Sequence, residues 1–372
     1  MLNDLDIYNK TLNKKILKSI NKTVHENNFI FGKSVTTLEK KLSKLTKAKY
    51  VTTVGSGTDA IFLSLLSLDL KKNDEIIIPS FSWLSVLEVV LMLHLKPIFV
   101  DSNINDFNPN IDEIEKKINK KTKVVISNSL FGRSIDLVRL QKICKKRKIT
   151  LIEDAAQNFG SKINKRDSCN ISDISCTSFF PSKNVGCYGD GGAIFTNKKK
   201  ISDKLKKLRN HGQKTYNQSN FIGISSRLGS LQASILIEKL KDLKNKKKKQ
   251  KETYRQYVKF FEQNNITGFS EPRDKFDKYD DMNCQFSILV KKRKQLIRHL
   301  INNKINYKIY YSKPLYRQFN LKNKINLKCT EFICGKIISL PFNDISKKRF
   351  NLVLAKLQKI INKNKEIFFE KN

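Results

Sequence analysis

The chain has 372 residues, 39% hydrophobic and 29% charged, with a formal net charge of +39 from 73 Lys and Arg against 34 Asp and Glu. That length exceeds one ordinary domain and that apolar content supports a packed core, which excludes a disordered chain and makes two domains the expectation. The positive charge is spread along the sequence with one dense block, KNKKKKQK at 244–251, so it reads as a solvated, lysine-rich helical face that attracts anionic substrates, not as a specific nucleic-acid interface.

The N-terminal stretch MLNDLDIYNKTLNKKILKSI has no apolar signal-peptide core, and no run is long enough to span a membrane, so a cytoplasmic protein without a membrane span is expected. Seven cysteines at 144, 169, 176, 187, 284, 329 and 334 include no C-x-x-C pair. An odd, scattered set of this kind fits a reducing compartment and gives no sign of a disulfide framework or a metal site.

From about residue 48, short apolar runs alternate with helical stretches. KYVTTV, DEIIIPS, KPIFVD, KVVISNSLF and ITLIED read as strands; DAIFLSLLSL, SVLEVVLMLHL and a basic segment near 137–147 read as helices. Continuous Val/Ile runs need cover on both faces, so this succession predicts an α/β domain with a largely parallel sheet. SDISCTSFF and GGAIFTN follow as strands joined without a helix, which makes part of the sheet antiparallel. A long helix is predicted from SRLGSLQASIL onward, with Leu228, Leu231, Ile235 and Leu236 at helical spacing. The expected boundary falls near 245, giving a large domain over 1–245 and a smaller C-terminal α+β domain over 246–372. The latter holds a strand at CQFSILV, a Lys-rich helix, the segment INYKIYYS and a last helix from about 346.

Ligands of parallel α/β sheets collect at the carboxyl ends of strands, so polar residues there are the first functional candidates. GSGTDAIF at 55–62 places Gly57 and Thr58 at a helix start, where exposed amides either seat a phosphate or merely follow a capping turn. LIEDAAQNFGS at 151–161 ends a strand in Glu153 and Asp154, acids that cap a turn or hold a proton on a basic heterocycle. Lys183 lies in the glycine-rich loop of SFFPSKNVGCYGDGG, and an arbitrary lysine is far more often a surface group than a nucleophile. Phosphate seat, strand-end acid, loop lysine and the aromatic Trp83 together answer the needs of pyridoxal 5′-phosphate: phosphate donors, a stacking face, a carboxylate for the pyridinium and an amine for the Schiff base.

With SGTDA, PSFSWLS, KPIFVD, EDAAQNFGS, SFFPSKNVGCYGDGGAIFTN, NHGQ, SRLGSLQASIL, YYSKPLYRQ and SLPF in this order, the chain resembles the DegT/DnrJ/EryC1 family of pyridoxal-phosphate sugar aminotransferases over nearly its whole length. Within that family it is most similar to the branch that aminates C3 of UDP-2-acetamido-2-deoxy-3-keto-glucuronate. The resemblance implies the aspartate-aminotransferase type I fold, with Lys183 as the Schiff-base lysine and Asp154 on the pyridinium nitrogen. It places Gln157 at the phenolic oxygen, Trp83 on the ring, and Gly57, Thr58 and Ser178 at the phosphate. It further implies a homodimer with shared active sites, in which Ser225 faces the phosphate across the interface and Arg227 reaches substrate from the second subunit. Tyr311 and His211 are substrate-side candidates. The implied reaction moves an amino group from L-glutamate to a nucleotide-linked ketosugar, making an aminosugar for surface polysaccharide such as lipopolysaccharide O-antigen. A 4-keto substrate and a non-catalytic binding or regulatory role are the alternatives. Lysine at 183 argues against the related dehydratases, which carry His there. Three positions depart from the common pattern: Ser225 replaces Asn, while Ser129 and Tyr310 replace His.

Overall fold

The computed structural model describes residues 10–371 apart from 216, 274–277, 320, 322–324 and 344; residues 1–9, on which part of the leader-peptide reading rests, lie outside the described residues. A seven-stranded sheet organises the first two thirds of the chain. Its strands are β1 (Tyr50–Val54), β2 (Glu75–Pro79), β3 (Lys96–Val100), β4 (Thr122–Asn128), β5 (Thr150–Asp154), β6 (Ile174–Ser178) and β7 (Gly192–Thr196). They lie in the order β1-β7-β6-β5-β4-β2-β3. The neighbours from β3 through β6 are parallel, and β7 runs antiparallel between β6 and β1. The helix-free link between β6 and β7 is what permits that reversal, as the sequence predicts.

Alternation along each strand divides the apolar side chains between two helical layers. Ile76, Ile78, Val124, Ile126 and Ile152 share one core with α3 (Gly57–Leu66) and α4 (Ser85–Met92). Ile77, Val125 and Leu151 share the opposite core with Leu137, Leu140 and Cys144 of α6 (Leu137–Lys146). The central strands are thus covered on both faces, which is why their sequences are nearly unbroken runs of Val and Ile. Two helices precede the sheet, α1 (Lys10–His25) and α2 (Lys33–Thr46), and α5 (Ile111–Lys117) follows β3.

After α7 (Lys199–Leu208), the long helix expected beyond residue 226 is two helices, α8 (Ser230–Leu240) and α9 (Leu243–Gln263). The break at Lys241 and Asp242 is a tight turn in which both amides bond three residues back. Across it the chain changes cores. Ala233 and Leu236 of α8 and Leu243 at the start of α9 pack on the large sheet. Tyr254, Tyr257, Val258 and Phe261 pack on a second core with β8 (Phe286–Leu289) and β9 (Ile337–Leu340). In that core Tyr257 stacks on Phe286 with ring centroids 4.6 Å apart. Two helices complete it, α10 (Arg293–Asn302) and α12 (Lys347–Lys363), with α11 (Lys328–Lys336) between them in the chain. INYKIYYS contributes one bridge, Lys308 to Ser339, and not a strand.

The basic block departs from the expected solvated face. Lys244, Lys248 and Lys249 are exposed, whereas Lys247 donates to the carbonyls of Gly160 and Asp280 at 2.9 Å each and pairs with the Asp280 carboxylate at 2.7 Å. Lys251 pairs with the other Asp280 oxygen at 2.6 Å. The block is amphipathic in its lysines: one side is solvated and the other ties the segment around Asp280 to the large sheet.

Candidate active site

Asp154 ends β5, Asn128 ends β4 and Ser178 ends β6, so three adjacent parallel strands deliver polar side chains to one edge of the sheet. Above that edge lies a cavity of about 430 Å³. Gly57, Thr58, Trp83, Asp154 and Gln157 line it. So do Ser178, Lys183 and Tyr311, which brings eight of the eleven sequence candidates together.

The loop carrying Lys183 is folded tightly on itself. Lys183 N–H donates to the Phe180 carbonyl at 2.9 Å, and Asn184 Nδ2 donates to the carbonyls of Gln157 and Phe159. A Cβ at Gly186 would lie 2.3 Å from the Pro181 carbonyl oxygen, so only glycine lets the loop close there. The Lys183 amine makes no hydrogen bond or ion pair with the described residues. Burial pushes its pKa below the ordinary lysine value, with the Asp154 charge opposing. Burial likewise raises the carboxyl of Asp154, while the Ala156 N–H, donating at 3.0 Å, and Lys183 pull it down. The site holds an amine that loses its proton more readily than a surface lysine and an acid desolvated beside it.

Gln157 is held at both ends. Its Oε1 accepts from the Phe131 N–H at 2.7 Å, which fixes the amide so that Nε2 donates to the Tyr311 hydroxyl at 3.2 Å. Tyr311 packs edge-on against Phe81 and lies 6.1 Å from Trp83 between ring centroids. Burial pushes its phenol far above the usual range. Tyr311 therefore stands beside Gln157 and Trp83 at the ring side of the cavity. Trp83 is 56% exposed, which places it at the cavity's mouth and not in the core.

Helix α3 opens at Gly57, where Ser56 Oγ caps the Asp59 N–H at 3.0 Å and the amides of Gly57 and Thr58 have no intrahelical acceptor. A Cβ on Gly57 would stand 2.7 Å from Ser178 Cβ. The helix terminus and the Ser178 hydroxyl thus converge on one corner that a larger residue would fill, as a phosphate seat requires. Ser226, one residue from the expected Ser225, braces this corner: its hydroxyl accepts from Gly55 N–H at 2.9 Å and donates to Asp59 at 2.7 Å.

Ser225, Arg227 and His211 are not among the residues lining the cavity. Ser225 is exposed and accepts from Arg227 Nη2 at 2.7 Å, while Arg227 Nη1 donates to Asn210. His211 is exposed in a turn. The cavity also takes in Asn128, Cys284 and Asn343, which the sequence reading passes over. Asn128 was accessible as the polar end of KVVISN; nothing local marks Cys284 or Asn343, which arrive from the distant second core.

The profile of the DegT/DnrJ/EryC1/StrS aminotransferase family matches residues 10–358. The chain belongs to that family. A UDP-2-acetamido-2-deoxy-3-oxo-D-glucuronate aminotransferase of Pseudomonas aeruginosa is 38% identical over 64% of this chain and 67% of its own length. A UDP-N-acetyl-3-dehydro-alpha-D-glucosamine 3-aminotransferase of Acidithiobacillus ferrooxidans is 30% identical over 91% of each chain. Among solved structures, NtdA of Bacillus subtilis with its bound cofactor PMP superposes with a TM-score of 0.86 at 26% identity, covering 97% of this chain and 83% of that one. The fold is the aspartate-aminotransferase type I fold, and this DegT/DnrJ/EryC1/StrS member is a pyridoxal-phosphate-dependent aminotransferase. The cavity fits the cofactor on its own evidence: an uncommitted amine, a desolvated strand-end acid and a glycine-cleared helix terminus stand around one space.

Proposed function

We propose that the protein transfers the amino group of L-glutamate to the C3 keto group of a UDP-linked sugar, producing a 3-aminosugar for surface polysaccharide. The observation that carries the amino-transfer chemistry is that Lys183 and Asp154 line one cavity, each shifted by burial toward its neutral form. The names of the two relatives, both acting on 3-keto UDP sugars, support the choice of carbon and nucleotide.

Pyridoxal phosphate, when bound, supplies the electron sink for breaking a bond at the donor's α-carbon. Lys183 would hold the cofactor covalently at rest and, once released, its amine would act as the base that takes the donor's α-proton and delivers it to the carbon on the far side of the donor nitrogen; with the ketosugar it would run that transfer in reverse. Asp154 keeps the ring nitrogen protonated. Gly57, Thr58 and Ser178 hold the phosphate, Gln157 the phenolic oxygen, and Trp83 covers the ring.

Assembly as a homodimer completes the proposal. Trp83 and Phe180 line the cavity and are at least half exposed, and Phe29, Ile30, Phe31 and Tyr188 are also partly bare in one chain. Arg227 and Ser225, which do not line the cavity of their own chain, would then serve the partner's site. We place the protein in the cytoplasm, where nucleotide sugars are made. Among the described residues no helix is long and apolar enough to cross a membrane. The division into 1–245 and 246–372 belongs to the same proposal, with α9 as the shared element.

The test presents purified protein and L-glutamate with a panel of 3-keto and 4-keto UDP, dTDP and GDP sugars and follows 2-oxoglutarate. Sustained release, beyond the single turnover that glutamate alone supports, is expected to depend on a UDP-3-keto sugar. Release with a 4-keto sugar alone would overturn the choice of carbon.

A further inference from the structure

Asn128 combines three observations. Its side chain lines the cavity and its residue is only 3% exposed, yet its Oδ1 has no hydrogen-bond partner. Its Nδ2 donates to Ser82 Oγ at 2.9 Å, and Ser82 also lines the cavity. It sits in direct register with Asp154 on the neighbouring parallel strand.

A buried amide oxygen without a donor costs about 1–3 kcal/mol, so such a group in a binding cavity is expected to be satisfied once the ligand is in place. The serine hydroxyl donates as readily as it accepts. Turning the Asn128 amide over lets Ser82 Oγ donate to Oδ1 and presents the NH₂ group to the cavity, with no change in side-chain shape. The unpaired oxygen is thereby satisfied, and the new need is an acceptor in the cavity.

The cofactor offers one at the required spacing. Neighbouring strands lie about 4.8 Å apart, so side chains at two adjacent strand ends reach two groups on one edge of a single ring. With Asp154 at the ring nitrogen, the next polar substituent along that edge is the phenolic oxygen. Gln157 cannot supply that oxygen in full, because its own oxygen is taken by Phe131 N–H and one of its two N–H groups by Tyr311.

We propose that Asn128 is a second hydrogen-bond donor to the phenolic oxygen of pyridoxal phosphate, switched into that role by Ser82. The proposal rests on the cofactor assignment of the cavity. Its consequence is electrostatic: a donor on this oxygen stabilises its anionic form and weakens its hold on the proton shared with the Lys183 nitrogen, so the bound chromophore deprotonates at lower pH.

The experiment measures the cofactor's dissociation constant and the pH midpoint of its visible absorbance for wild type, Asn128→Ala and Asn128→Asp. Asn128→Ala is expected to weaken binding about tenfold and raise the midpoint by about one pH unit. Asn128→Asp keeps the shape, removes the donor and adds a charge beside Asp154, so its midpoint moves further in the same direction. A residue with a merely packing role would change melting temperature and leave the midpoint in place. Variants that bind the cofactor with the wild-type constant and midpoint overturn the role of Asn128 alone. A wild-type protein that binds no cofactor overturns the cavity assignment and this inference with it.

Discussion

Lys183 and Lys247 are both half-buried amines whose pKa values burial lowers, but their surroundings are opposite in kind. Lys247 is committed: two carbonyls and the Asp280 carboxylate take up its hydrogens. Lys183 has no such partners among the described residues and feels Asp154 only as a nearby charge. Desolvation alone does not make an amine reactive. The difference lies in whether the protein has consumed its hydrogen-bonding capacity, which an amine that must form and break a covalent bond has to keep.

The largest effect that sharpens this contrast is on turnover. Lys183→Ala is expected to lower kcat by at least roughly 10²–10⁴-fold, the range of a lost acid–base group, while retaining noncovalent cofactor binding. Borohydride treatment followed by peptide mass analysis checks the same residue chemically. The label belongs on the peptide containing Lys183 and not on that of Lys247, and the reverse would break the comparison. Next in size is Gly57→Ala. The added Cβ must push Ser178 or the start of α3 aside, and an overpacking cost of about 1–3 kcal/mol converts to roughly 5–150-fold weaker cofactor binding. Equilibrium titration reads it directly. Wild-type affinity in that variant would mean the phosphate does not sit at this helix terminus.

Lys247→Ala probes the other half of the contrast. It leaves the carbonyls of Gly160 and Asp280 without their donor, though Lys251 still neutralises the partly exposed Asp280 carboxylate. A loss of about 1–2 kcal/mol in denaturant-derived stability follows, with kcat within about threefold of wild type. A collapse of kcat at unchanged stability would move Lys247 into the chemistry.

The same contrast explains what the sequence made legible. The sheet was readable because each central strand is covered on both faces and so writes a continuous apolar run. Asp154 and Lys183 were readable as candidates because they sit at or just beyond such runs, where local order equals spatial order, whereas Ser178 came only with the family resemblance. Lys247 and Lys251 do not face solvent as expected, because a run of like charges shows helical phase but not what lies opposite it; Asp280 is some thirty residues away along the chain. The break between α8 and α9 was invisible for a related reason. Helical periodicity continues through Lys241 and Asp242, and the change of direction is dictated by two separate cores. Asn128 stood in plain view at a strand end, but its significance lies in a missing partner, which only three-dimensional structure reveals.

The smallest expected effect concerns stability and has a definite sign. In the cofactor-free protein the Lys183 amine is held below its ordinary value of 10.5, so the unfolded chain binds more protons there than the folded one. Stability then rises with pH between the lowered folded value and 10.5, because the cost of burying the ammonium disappears as it deprotonates in the unfolded state too. Lys183→Met, which removes that ammonium while keeping an apolar stem, should make the cofactor-free protein modestly more stable than wild type at neutral pH. The advantage should shrink as pH rises through that window and be gone above it. Asp154 runs the other way, since its raised carboxyl binds its proton more tightly folded than unfolded, and its own cost appears as pH climbs through the raised value. Urea midpoints of both proteins measured from pH 6 to about pH 11 decide the matter. A Lys183→Met variant less stable than wild type at neutral pH would mean that the amine contributes to holding the empty site together, and the distinction from Lys247 would be one of degree.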